Sequence, residues 1–205
     1  GKTTTTSLVS SIFQNTKLDP TIINGGVIKS INNTARLGKS DWSILEADES
    51  DGSFIHISPT YSIITNIDRE HMDFYKSVND LKDYFIQFIN KVPSFGKSFI
   101  CVDDKLNNDL IRKIKNKNFY TYGQKENSNF LIKNIKQHQS YSEFDLKINL
   151  PNKAIYNIQK FRIPLLGIHN IRNSVAAIAV SLTIGISVSK VKKGLIDFKG
   201  VQRRF

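Results

Sequence analysis

Gly1-Lys2-Thr3-Thr4-Thr5-Thr6-Ser7-Leu8-Val9-Ser10-Ser11-Ile12-Phe13 (GKTTTTSLVSSIF, residues 1–13) decides how the rest of the chain is read. Its first three residues match the last three positions of the phosphate-binding loop G-x-x-x-x-G-K-[ST]. Behind them Leu8, Val9, Ile12 and Phe13 recur at helical spacing and predict a helix of about three turns. A glycine lets backbone N–H groups curl around phosphate oxygens, and a helix N-terminus adds a positive dipole end. Lys2 would then reach terminal phosphates and the Thr3 hydroxyl would bind Mg²⁺. The same tripeptide also arises by chance at helix starts, and the opening glycine of the motif would fall ahead of Gly1.

Outward from this stretch, short apolar runs alternate with helical periodicity. Strands are expected at 21–23, 42–47, 61–64, 98–102 and 119–122, and helices at 78–89 and 107–114. Gly25-Gly26 reads as a turn and residues 32–40 as a polar loop. Alternating strands and helices predict an α/β fold with a mostly parallel sheet and right-handed crossovers. Residues 129–163 break the pattern with three alternating stretches, 130–137, 141–150 and 155–163, which predict a small antiparallel meander. Helices are expected again at 171–182 and 188–198, the first closed by Gly185.

The 205 residues suffice for one sizeable core, or a core with a small appended sheet. No apolar run approaches 18 residues, so no membrane helix is expected. Cys101 is the sole cysteine. That excludes a disulfide framework and fits a reducing cytoplasm; in its apolar run it reads as a core residue, not a nucleophile. The net charge of +11 would suit a polyanion. The lysines are scattered among Asn and Ile, however, so compositional drift explains the charge as well as a binding patch does. No nucleic-acid partner is expected.

Four further segments carry chemistry. Residues 46–54 (EADESDGSF) crowd Glu46, Asp48, Glu49 and Asp51 at the end of an apolar strand, where open α/β sheets bind ligands. Carboxylates there suit Mg²⁺, or form a solvated loop capping the next element. Residues 65–73 (TNIDREHMD) place His71 beyond another strand, among Asp68, Glu70 and Asp73. Residues 167–173 (GIHNIRN) open a helix with His169, Asn170 and Asn173; these suit an adenine edge or ribose, or Asn170 is an N-cap. Residues 200–205 (GVQRRF) end in Arg203 and Arg204, which can clamp phosphate or form a basic tail.

In this order the five segments resemble the Mur ligase family, cytoplasmic enzymes that build the peptide of cell-wall precursors, and the resemblance covers nearly all of residues 1–205. It implies the central ATP-binding domain, without the family's N-terminal UDP-binding and C-terminal domains, and a fragment inactive alone. It implies ATP held by Gly1, Lys2, Thr3 and Thr4, with Arg203 or Arg204 near the phosphates and His169, Asn170 and Asn173 facing the nucleotide. It implies a first Mg²⁺ on Thr3 and a second on Glu46 and His71, Glu49 being the alternative to Glu46. Lys2, Glu46 and His71 would be the catalytic set. Residues 33–38 (NTARLG) match a loop facing the UDP-sugar. Some relatives carry a carbamylated lysine about 15 positions after the histidine; here that region reads Tyr84-Phe85-Ile86-Gln87. This points to the branch that joins L-alanine to UDP-N-acetylmuramate. A recycling branch typically has tyrosine where Ser50 stands. A P-loop NTPase that does not ligate, and a basic nucleic-acid module, are the readings from other classes.

Overall fold

The computed structural model describes residues 1–70, 72–115 and 117–202. Its elements are α1 (Lys2–Gln14), β1 (Thr21–Ile28), β2 (Asn33–Arg36), β3 (Ser43–Leu45), a 3₁₀ turn (Ser53–His56), β4 (Tyr61–Ile64), α2 (Val78–Asn90), β5 (Lys97–Cys101), α3 (Lys105–Lys113), β6 (Phe119–Gly123), β7 (Phe130–Gln137), β8 (Ser142–Ile148), β9 (Tyr156–Ile163), α4 (Ile168–Thr183), α5 (Val188–Ile196) and β10 (Val201–Gln202).

Two sheets result. One runs β4-β5-β6-β7-β8-β9, parallel from β4 to β7 and antiparallel from β7 to β9. The expected meander is therefore a continuation of the parallel sheet through the β6–β7 pair. The other runs β10-β1-β2, with β3 parallel to β1. Successive side chains on a strand face opposite ways, and β5 shows the consequence. Phe99 packs with α1 and α4, while Ile100 packs with the α2 side, where Leu81 and Phe85 lie. Helices thus cover both faces of the sheet, each burial of such an apolar side chain contributing about 1.5–3 kcal/mol.

Helix α1 is buried from Thr5 to Phe13, polar residues included. Two of its hydroxyls are satisfied within the helix: Ser7 and Ser10 each donate to the carbonyl four residues back, at 2.8 Å. Ser11 donates instead to the Gly194 carbonyl of α5 at 2.7 Å. A Cβ at Gly194 would lie 2.4 Å from the Ile12 Cα, so glycine sets how closely α1 and α5 approach.

Three expectations need correction. Gly25-Gly26 is no turn: β1 continues through it, with a register shift against β2 between Ile23 and Ile28. Glycine here marks a bulge and a close approach, since a carboxylate lies over Gly25. Residues 33–36, expected as loop, form edge strand β2; its backbone pairs with β1 and its Arg36 with Asp19. Neither of its faces is buried, so no apolar alternation announces it. Helix α4 starts three residues earlier than expected, because Gly167 takes φ 91° as its N-cap. Asn170 is therefore inside the helix and caps nothing.

No helix among the described residues is long and apolar enough to cross a membrane. Cys101 is buried at the end of β5, and burial pushes its thiol up from the ordinary value. In the folded protein, the Cys101 peptide should resist iodoacetamide at pH 8 until denaturant is added, as read by mass spectrometry. Fast labelling under native conditions would place Cys101 at the surface.

Candidate functional site

The strand ends converge as the alternating pattern predicts. Glu46 directly follows β3, Asn66 lies just beyond β4, Asp103 beyond β5 and Gln124 follows β6. The N-termini of α1 and α4 belong to the same edge, and the two helices pack on each other. This is where parallel sheets offer ligand sites.

At the α1 end, the helix begins at Lys2 without a side-chain cap. Glu46 joins two elements with one carboxylate: its Oε1 accepts from the Thr3 hydroxyl at 2.8 Å, and its Oε2 from the Gly25 N–H at 2.6 Å. A Cβ at Gly25 would sit 2.9 Å from Oε2. Lys2 Nζ donates to the Glu49 carboxylate and lies 3.6 Å from Asp48. The Tyr75 hydroxyl donates to the Glu49 carbonyl and anchors this loop. Burial, then the Glu49 charge, push the Tyr75 phenol up to about 12.

The four carboxylates of the acidic loop therefore divide. Asp51 accepts from the Ser53 N–H, and Asp48 from the Ser50 N–H and hydroxyl. These bonds close local turns. Burial raises the Asp48 carboxyl, but the Ser50 bonds and Lys2 outweigh it and hold Asp48 below the usual range. Glu46 and Glu49, one methylene longer, reach across to α1. The aspartates cap local turns, and the glutamates tie the loop to α1.

Thr3 and Glu46 offer two oxygen donors to one point, a set that suits Mg²⁺, which prefers oxygen and keeps several waters. Among the described residues, no three His, Cys, Asp or Glu side chains form a metal cluster. His71, Arg203 and Arg204 lie outside the described residues. Of His71's acidic neighbours, Asp68 accepts from the Asn66 amide, and Glu70 and Asp73 are exposed.

At the α4 end, His169 folds over Gly167, 2.8 Å from where a Cβ would be. The Asn170 amide donates to the Leu166 carbonyl at 2.8 Å. Asn173 is 5% exposed and its Nδ2 has no partner. A buried donor left without a partner is costly, about 1–3 kcal/mol.

Between these ends stands a cluster that motif reading missed. Arg172 Nε donates to Asp103 at 2.7 Å and its Nη2 to the Gln124 side chain at 3.2 Å, while the Gln124 N–H donates to Asp103 at 2.9 Å. Asp103 thus ties α4 to the ends of β5 and β6. Its one sequence signal was an acidic residue just past an apolar strand. The loop at 33–38 lies along edge strand β2, with Arg36 held by Asp19 and Leu37 87% exposed.

Comparison with known proteins gives one family. The Mur ligase middle domain matches residues 1–181. The chain is 72% identical over all 205 residues to the UDP-N-acetylmuramate–L-alanine ligase of Pelagibacter ubique, of which it covers 44%. The UDP-N-acetylmuramate–alanine ligase of Thermotoga maritima superposes over the full chain with a TM-score of 0.82 at 25% identity, 44% of that chain being covered. A UDP-N-acetylmuramate:L-alanyl-γ-D-glutamyl-meso-diaminopimelate ligase from Neisseria superposes with 0.80 at 22%, over 99% of this chain and 64% of that one. The chain thus spans less than half the length of the Pelagibacter protein.

Gly123 takes φ +148°, and a Cβ there would meet Asp103 Oδ1 at 2.7 Å. Gly123→Ala should therefore destabilise the fold by roughly 1–3 kcal/mol, seen as a lowered melting temperature. An unchanged melting curve would show that Asp103 moves aside freely.

Proposed function

This chain belongs to the Mur ligase family, and from that premise we propose that it is the central ATP-binding domain of an enzyme joining L-alanine to UDP-N-acetylmuramate. The 72% identity to the Pelagibacter ligase supports the choice of substrates. The observation that carries the chemistry is the convergence of Lys2, Thr3 and Glu46 at the end of β3.

A carboxylate is a poor acyl donor at neutral pH, so the reaction begins with phosphoryl transfer. A substrate carboxylate oxygen attacks the γ-phosphorus of ATP, the bond to ADP breaks, and an acyl phosphate forms. The amine of L-alanine then attacks the acyl carbon; phosphate leaves and the amine loses a proton. The first step mostly requires positioning and charge neutralisation. Lys2 supplies a mobile cation at the helix N-terminus, exchanging Glu49 for phosphate oxygens. Thr3 would hold a first Mg²⁺ and Glu46 a second, and these ions would supply further neutralisation of phosphate charge when bound. We assign His71 as the partner of Glu46 for a second Mg²⁺, and Arg203 or Arg204 to the phosphates, on the family resemblance. His169, Asn170 and Asn173 take the nucleoside end, where the orphan Asn173 Nδ2 offers a donor to a base acceptor.

In the complete protein, phosphate release from ATP with UDP-N-acetylmuramate should require L-alanine. Release only with L-Ala-γ-D-Glu-diaminopimelate would move the substrate to the tripeptide, and release indifferent to both would end the ligase reading. Lys2→Ala and Glu46→Ala should each lower turnover at least about 100-fold, the scale of one lost electrostatic contact. Near-normal turnover would remove that residue from the mechanism. Asp103→Asn should raise the KM for ATP about 10-fold with kcat little changed, since Asp103 only positions α4. A loss confined to kcat would contradict that role.

A further inference from the structure

A strand that packs one face on a core carries apolar residues at its inward positions. Strand β8 keeps to this at Phe144, Leu146 and Ile148, all buried. Ser142, its first inward position, is the exception, and it is fully buried too. It pairs with Gln137 of β7 on one side and with Ile163 of β9 on the other. Residues paired across neighbouring strands project to the same face. The row Gln137-Ser142-Ile163 therefore puts two polar side chains on the face that packs against α4. A buried hydroxyl costs free energy unless it is hydrogen-bonded, and this one finds a partner beyond the strands.

The Ser142 hydroxyl donates to the Leu165 carbonyl at 2.6 Å and lies 3.0 Å from Gln137 Oε1. The same Oε1 accepts from the Gly167 N–H at 3.3 Å. Leu165 and Gly167 bracket the turn from β9 into α4, and α4 has no side-chain cap of its own. Two strand residues thus hold this turn. Leu166 and Gly167 in their turn hold the first groups of α4. The Asn170 amide donates to the Leu166 carbonyl at 2.8 Å, and the Asn170 and Ile171 N–H groups donate to the Gly167 carbonyl at 3.1 and 3.2 Å. The His169 ring lies over Gly167. A rotation of the turn would therefore carry His169, Asn170 and Asn173 with it.

We propose that Gln137 and Ser142 are positioning residues for the nucleotide: they set the turn at 165–167, and through it His169, Asn170 and Asn173, without touching the ligand. The proposal deepens the reading of the α4 start as the nucleoside end and rests on that reading. Three observations favour this role over packing alone. An apolar side chain at 142 would suit the core better than a serine does. Gln137 is exposed, so its amide adds little to the core, yet its oxygen takes the N–H of the glycine that starts α4. Both bonds also span the fold, 23 and 30 residues in sequence, to end directly ahead of the nucleotide residues. The antiparallel strands thus serve the site by holding the start of α4, as Asp103 does from the end of β5.

Calorimetric titration of the complete protein with ADP, and separately with pyrophosphate, tests it. Gln137→Met keeps the length of the side chain and removes the acceptor. It should weaken ADP binding about 5- to 10-fold, the scale of one lost hydrogen bond, and leave pyrophosphate binding unchanged. Gln137→Glu keeps an acceptor oxygen, and its charge is favourable at a helix N-terminus, so it should bind ADP within about twofold of the wild type. Wild-type ADP affinity in Gln137→Met would overturn the proposal. So would an equal loss for pyrophosphate, which marks a general loosening of the fold, or a Gln137→Glu variant as weak as Gln137→Met. If the wild-type protein itself bound no ADP, the nucleotide reading would fall, and this proposal with it.

Discussion

A single carboxylate, Glu46, holds together elements that share no backbone ladder. One oxygen takes the Thr3 hydroxyl of α1 and the other the Gly25 N–H of β1. Bonds to a charged acceptor contribute about 1.5–3 kcal/mol each, and these two fix the start of α1 against the end of β3. The geometry of the α1 end follows. Lys2 is set beside Glu49, and Thr3 shares a point with Glu46 where a cation can be held. Glycine at position 25 leaves room for this approach, since a Cβ there would lie 2.9 Å from Oε2 and the carboxylate would have to shift.

The parallel strands were legible because burial on both faces leaves continuous apolar runs, as at Phe99-Ile100-Cys101. Helix α2 was legible from its apolar periodicity alone; the structure adds its Ser77 cap, which accepts from the Asp80 N–H. Edge strand β2 was not, since an exposed four-residue strand has no face to bury. Gly25-Gly26 misled for a different reason: a paired glycine favours a turn locally, yet the deciding contact comes from Glu46, 21 residues away. The Asp103–Arg172 pair spans 69 residues. No local pattern encodes it, and only the β5–β6 register and the packing of α4 bring it together.

The acidic loop shows how side-chain length sorts equal charges. Asp48 and Asp51 accept from the backbone two residues on, where they close turns, and Asp48 adds the Ser50 hydroxyl and an ion pair with Lys2 at 3.6 Å. Glu46 and Glu49 clear their own backbone and meet α1. Gly52, at φ 70°, lets the chain turn between them and the 3₁₀ segment, with Phe74 pressed where its side chain would be. The same two types of carboxylate would thus respond differently to substitution: shortening Glu46 or Glu49 removes a tertiary contact, whereas lengthening Asp48 removes a local one.

If Lys2 takes phosphate as proposed, its pairing with Glu49 makes binding at this site a competition between anions. A phosphate that reaches Lys2 must displace a carboxylate that is tethered, correctly oriented and never diluted. A lone inorganic ion meets that rival with a single set of contacts. On the proposed reading, a nucleotide would engage the α4 end and the helix N-terminus at once, so its parts would reinforce each other in evicting Glu49. That reading would build selectivity against small anions into the loop itself, through a rival ligand that the chain carries with it.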